Sequence, residues 1–142
     1  MERYYRPHHR RLERAVDSLL AHGPVLVIDG HSYPKIPLPY EQDSTVDRGQ
    51  ICIGTDAFHT PAAVVEQLSQ HFREGGFSVS VDTPFSGALV PLKHYGRNAQ
   101  VSSVVLEVRR DVYMDEESGE KIGTYVATKR LLAGALLRLI QS

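Results

Sequence analysis

Four consecutive aliphatic residues, Val25-Leu26-Val27-Ile28, are closed by Asp29-Gly30 and preceded by the helix-stopping pair Gly23-Pro24. An apolar run this short, bounded by turn residues, reads as a strand buried on both sides, and such strands belong to α/β sheets. The flanking segments agree. From Pro7 to His22, Leu12, Ala15, Val16, Leu19 and Leu20 recur at intervals of three and four and paint one apolar face on a helix. Tyr33 to Gln50 carries Pro34, Pro37 and Pro39 and predicts an irregular excursion. Ile51 to Gly54 predicts a second short strand, and Thr60-Pro61 predicts an N-cap before a helix running to about Arg73, ended by Gly75-Gly76.

Phe77, Val79 and Val81 alternate with serines as in a strand, which Asp82 to Gly87 breaks with loop chemistry. The longest strand is expected from Val101 to about Val112, followed by an acidic turn from Tyr113 to Gly119 and a last helix from about Lys121 to Ile140. The alternation of helices and strands predicts α/β layers in a single domain over residues 1–142. About four strands leave sheet edges uncovered, so part of a larger sheet is expected to be absent.

Composition narrows the function classes. Sixteen basic against seventeen acidic residues give a formal charge of −1, so no bulk field points to nucleic acid. The basic N-terminal arginines predict a solvated helix face. No apolar run is long enough to cross a bilayer, and a single cysteine, Cys52, makes no internal disulfide. These features predict a cytoplasmic protein that engages neither nucleic acid nor membrane. Cys52 with His59 is a weak candidate for a thiol nucleophile, since free cysteine is ordinarily a small buried hydrophobe.

Two places carry polar chemistry into apolar strands. Asp29 and His31 follow the first strand, where open α/β sheets bind ligands, and period two points them in one direction. A histidine there serves as metal ligand, proton carrier or simple cap. Glu107 interrupts Val104-Val105-Leu106 and is followed by Val108-Arg109. Buried unpaired, it would cost several kcal/mol, so it is expected to pair with an arginine or to open into a polar cavity.

Together, Tyr5-Arg6-Pro7-His8-His9, Val27 to Pro34, Ile51 to Thr55, Asp82 to Gly87 and Leu106 to Glu116 resemble, in order and spacing, the N-formylglutamate amidohydrolase family. The resemblance implies a phosphorylase/hydrolase-like three-layer sandwich, a mixed sheet with helices on both faces, akin to zinc carboxypeptidases. It implies zinc-dependent hydrolysis of a small-molecule N-acyl amino acid, N-formyl-L-glutamate to glutamate and formate, in histidine degradation. Carried over, His31 matches a zinc-binding histidine and Glu107 the catalytic glutamate, with Asp29 and Ser32 as supporting residues beside the metal. Arg109, Arg97 and Lys93 are candidates to hold the substrate carboxylate, because cations of this kind pair with it. The family's first zinc histidine and its acidic ligand have no counterpart before Tyr5. The chain thus looks like the C-terminal part of such an enzyme, with an incomplete site. A separate N-terminal part, a homo-oligomer, or a site rebuilt from His59, His94 or Asp56 is expected to compensate. The rival readings are a non-catalytic module binding a small carboxylate in an Asp29, His31, Arg109 cleft, and an oligomerising remnant of the same fold.

Overall fold

A computed structural model describes residues 3–41, 43–44 and 47–141. The described elements are α1 (Tyr5–Leu20), β1 (Val25–Tyr33), β2 (Ile51–Gly54), α2 (Ala62–Glu74), β3 (Val79–Val81), β4 (Val101–Arg109), a 3-10 turn (Arg110–Val112) and α3 (Tyr125–Gln141). The strands form one mixed sheet in the order β1-β4-β2-β3. β1 runs parallel to β4 from Val25↔Val101 to Tyr33↔Arg109, β2 lies antiparallel to β4, and β3 lies parallel to β2.

The side-chain period of two divides the sheet into two faces. Val104, Leu106 and Val108 of β4 and Ile51 and Ile53 of β2 meet Leu68 and Phe72 of α2 and Ala135 of α3 in the larger core. On the opposite face, Val25 and Val101 meet Val16 of α1 and Val90 in a smaller core, with Leu12, Leu20 and Val27 at its edge. Helices therefore cover both faces, as the three-layer expectation requires. α1 covers only the end of the sheet where β1 and β4 begin.

Several boundaries move for local reasons. β1 continues to Tyr33, because Asp29, Gly30 and His31 extend the parallel ladder with β4. It is also not buried on both sides: it is the edge strand of the described sheet, and Gly30 and His31 are exposed. Thr60 does not cap α2, whose N-cap position is Pro61. Its hydroxyl instead donates to the Ser103 carbonyl at 2.6 Å and accepts from the Asp56 N–H at 2.8 Å, which ties the loop to β4. β3 begins at Val79 because the Phe77 N–H is spent on the Phe72 carbonyl at the end of α2. β4 gives way to the 3-10 turn after Arg109. α3 begins at Tyr125 because Lys121 is drawn into a bridge with Met114 and the Thr124 hydroxyl bonds the Val112 carbonyl at 2.8 Å. No described helix is long and apolar enough to cross a membrane.

Candidate functional site

β1 and β4 place the candidate residues side by side. In register, His31 lies opposite Glu107 on one side, and Cys52 of β2 lies opposite Glu107 on the other. All three, with Asp29, share the sheet face that α1 covers at its far end. The apolar stripe Val25, Val27 thus turns polar as it leaves the shelter of the helix.

The charges in this row are unevenly satisfied. His31 Nε2 lies 2.9 Å from Asp29 Oδ2, with half of the His31 side chain in water. The hydrogen bond to Asp29 holds the imidazole pKa above its ordinary value. With Nε2–H donated to the carboxylate, Nδ1 keeps a lone pair in the neutral ring, the arrangement in which carboxylates orient metal-binding histidines. Glu107 is only 9% exposed, and its Oε2 is buried without a hydrogen-bond partner. Burial pushes the Glu107 carboxyl pKa up; Asp29 adds to this, while His31 and Arg110 oppose it. Cys52 is buried, its thiol directed to the Phe85 carbonyl at 3.3 Å and its pKa pushed up by burial. A thiol so held is a poor nucleophile.

The other expected residues lie elsewhere. Arg109 shares the strand and face of Glu107 but does not pair with it. Its Nε and Nη2 donate to Asp111 at 2.7 and 3.2 Å, and its Nη1 to the Arg48 carbonyl at 2.5 Å. Its fork is occupied by these two partners. Lys93 is paired with Asp17 of α1 at 2.7 Å, and Arg97 sits in the exposed turn before β4. Both belong to the end of the sheet where β4 starts, six residues or roughly 20 Å along the strand from Glu107. They do not join His31. Ser32 faces the opposite side of the strand from His31 and accepts from Arg110 Nε at 3.2 Å, so it supports Arg110 and not the imidazole.

The residues considered for a rebuilt site are structural. His59 is 1% exposed, Nδ1 2.6 Å from the Val101 carbonyl and Nε2 accepting the Gly96 N–H at 2.8 Å, so neither nitrogen is left for a metal. Asp56 accepts the Phe58 and His59 N–H groups, and His94 pairs with Asp17 at 2.8 Å. Among the described residues no group of three or more His, Cys, Asp or Glu side chains is placed to hold a metal ion. A catalytic zinc takes three protein ligands, so the described donors do not by themselves fit one. His31, oriented by Asp29, is the one imidazole at this place.

Beside His31, on the α3 side, a cavity of about 270 Å³ is floored by Val108 and Leu132 and walled by Tyr113, Tyr125 and Lys129. Sequence reasoning assigned no role to Arg110, Tyr113, Tyr125 or Lys129. Arg110 and Tyr113 stand inside the block that carries Glu107. Tyr125, Lys129 and Leu132 are spaced by four and three, which marks one helix face.

The family model described as N-formylglutamate amidohydrolase matches residues 1–114. The crystal structure of N-formylglutamate amidohydrolase from Ralstonia eutropha JMP134 superposes with a TM-score of 0.82 at 29% sequence identity, covering 99% of this chain and 51% of that one. The chain thus spans about half the length of that protein. No curated protein matches it.

Proposed function

The chain belongs to the N-formylglutamate amidohydrolase family, and from that premise we propose that it takes part in hydrolysing the amide bond of an N-acyl amino acid, with N-formyl-L-glutamate as the reference substrate. The observation that carries the proposal is Glu107: a buried carboxylate with an unpartnered oxygen and a raised pKa, one strand away from an imidazole that Asp29 orients. A structural ion pair would have satisfied that oxygen. A proton carrier needs it free and needs a pKa drawn towards neutrality. Glu107 accepts a proton from the attacking water and delivers it to the leaving amine nitrogen, as formate and the free amino acid separate. Asp29 holds the His31 ring in one orientation.

Zinc dependence is part of the proposal, with His31 Nδ1 as one ligand and the others supplied from outside Asp29, His31 and Glu107. The outer edge of β1, which carries no strand among the described residues, is where a second copy or a further chain would bring them. A cytoplasmic setting and a role in histidine degradation accompany this reading.

The test is formate release from N-formyl-L-glutamate with zinc supplied. The account expects slow release above the protein-free rate, lowered at least about a hundredfold by Glu107→Gln, the effect of losing a general acid–base, and lowered also by His31→Ala. Release that survives Glu107→Gln overturns the role of Glu107. No release above the protein-free rate overturns hydrolysis by this chain.

A further inference from the structure

The outer edge of β1 carries none of the devices that keep a sheet edge from pairing. β1 bounds the sheet on one side and pairs only with β4 among the described residues. The Val25 N–H donates to the Gln100 carbonyl at 2.8 Å, which turns the backbone groups of alternate residues from Val25 to Tyr33 towards β4 and those of Leu26, Ile28, Gly30 and Ser32 outward. Of these outward groups the Ser32 carbonyl accepts from Arg110 Nη2 at 3.3 Å, and a carbonyl has a lone pair for a second donor. Proteins blunt exposed edges with short strands, bulges, proline or lysine. β3, at the opposite edge, has only three residues and gives way at Asp82, whose φ is 54°. β1 runs for nine residues without a proline or a lysine, and Gly30 and His31 in its outer half are exposed.

We propose that two copies of this chain pair β1 to β1, antiparallel about a twofold axis at Gly30, and so join their sheets into one. The occupant is a second copy because Asp29-Gly30-His31 is self-complementary about its glycine. With the axis there, the outward groups of Gly30 meet those of Gly30 of the second copy, and Ile28 meets Ser32 in the same hydrogen-bonded way. Asp29 then lies opposite His31 of the second copy in the closer, non-hydrogen-bonded arrangement, with Cα atoms about 4.5 Å apart. Residues directly opposite share a face, so the two copies build a square of side chains. Each imidazole has one carboxylate along its own strand, at 2.9 Å, and another across the axis. An axis at Asp29 or at His31 keeps the hydrogen-bond parity but sets like charges directly opposite, which opposes pairing. The second copy thus brings its own Asp29 and His31 to the row that holds Glu107. The pairing needs neither metal nor hydrolysis and does not rest on the amidohydrolase reading.

The test reads association by sedimentation equilibrium and amide exchange by ¹H–¹⁵N NMR, both on the wild-type chain. The expected result is a dimer in concentration-dependent equilibrium with monomer, in which the outward Ile28, Gly30 and Ser32 amides exchange slowly and lose that protection on dilution. A monomer at NMR concentrations, or a dimer in which these amides exchange freely, overturns the pairing. Charge exchange tests the register. Asp29→Lys and His31→Glu each set like charges in both symmetry-related pairs and are expected to weaken the homodimer about tenfold or more. Mixed together, the two variants set each altered side chain against the other and are expected to recover association. An unweakened single variant overturns the register. Gly30→Cys tests the axis without disturbing the charges, at a position where a Cβ meets nothing within 4 Å. Hydrogen-bonded partners lie about 5.5 Å apart, within disulfide range, so mild oxidation is expected to link two copies of this variant. Wild type is expected to form no such link, because Cys52 is buried. A Gly30→Cys chain that stays unlinked overturns the axis. Because no turnover is read, failure of hydrolysis and failure of this interface are separate results.

Discussion

Replacing Glu107 by glutamine should make the protein more stable near neutral pH, and the structure sets the size of the gain. Glu107 is 9% exposed and its Oε2 has no partner. The nearest positive groups are spent: His31 on Asp29, and Arg110 on Ser32 Oγ and the Ser32 carbonyl. The charge of Glu107 is therefore poorly compensated. Glutamine has the same shape, so no cavity opens, and what is removed is the cost of holding the ionised form out of water. For a buried unsatisfied group that cost is about 1–3 kcal/mol. In a chain of 142 residues, at roughly 4 °C per kcal/mol, it becomes about 4–12 °C in Tm. The sign with pH follows from linkage. A carboxyl whose folded pKa is raised above 4.5 binds more protons in the native state than in the unfolded one. The wild type therefore loses stability as pH rises from that value through the folded pKa, and the glutamine variant does not. Thermal unfolding followed by circular dichroism near pH 4 and near pH 7 should show the two proteins close together in acid and separated at neutrality. A constant separation, or a glutamine variant less stable at neutral pH, would refute the view that burial without a partner governs this residue.

Asp29→Asn should lower the His31 pKa towards 6.5, because the hydrogen bond to Asp29 is the main cause of its elevation; a ¹⁵N titration of the imidazole reads it directly. Since the folded pKa is raised, the stability that this pair contributes is full below 6.5 and is lost as pH rises through the folded value, a dependence that the asparagine variant should lack. Gly54→Ala should destabilise the fold by about 1–3 kcal/mol in urea titrations, because a Cβ there would sit 2.8 Å from the Gly87 carbonyl oxygen and 3.1 Å from Val105 Cβ. An unchanged unfolding midpoint would contradict that packing.

What the sequence made legible was periodic. The aliphatic run at Val25, the interrupted strand around Glu107 and the three helix faces all rest on repeats that a backbone enforces, and each appears at its place. The interruption at Asp29-Gly30 was misread as an end, because the parallel ladder to β4 supplies hydrogen bonds that outweigh the local preference of Asp and Gly for turns. Lys93, Arg97 and Arg109 share a charge type suited to carboxylates, yet distance separates two of them from Glu107 and Asp111 occupies the third. Pairing of that kind depends on residues brought together across loops, and spacing along the chain does not record it. The same holds for Lys129 of α3, which lines one cavity with Ser32 of β1 only because the helix packs over the sheet.

The most direct test of the central claim is the titration of Glu107 itself, by ¹³C NMR of the carboxyl carbons with the Glu107→Gln spectrum as the assignment control. The account predicts a midpoint above 4.5, as a buried proton carrier beside the Asp29–His31 pair requires. A midpoint at or below 4.5 would mean a carboxylate stabilised in its ionised form, and would contradict the role given to Glu107.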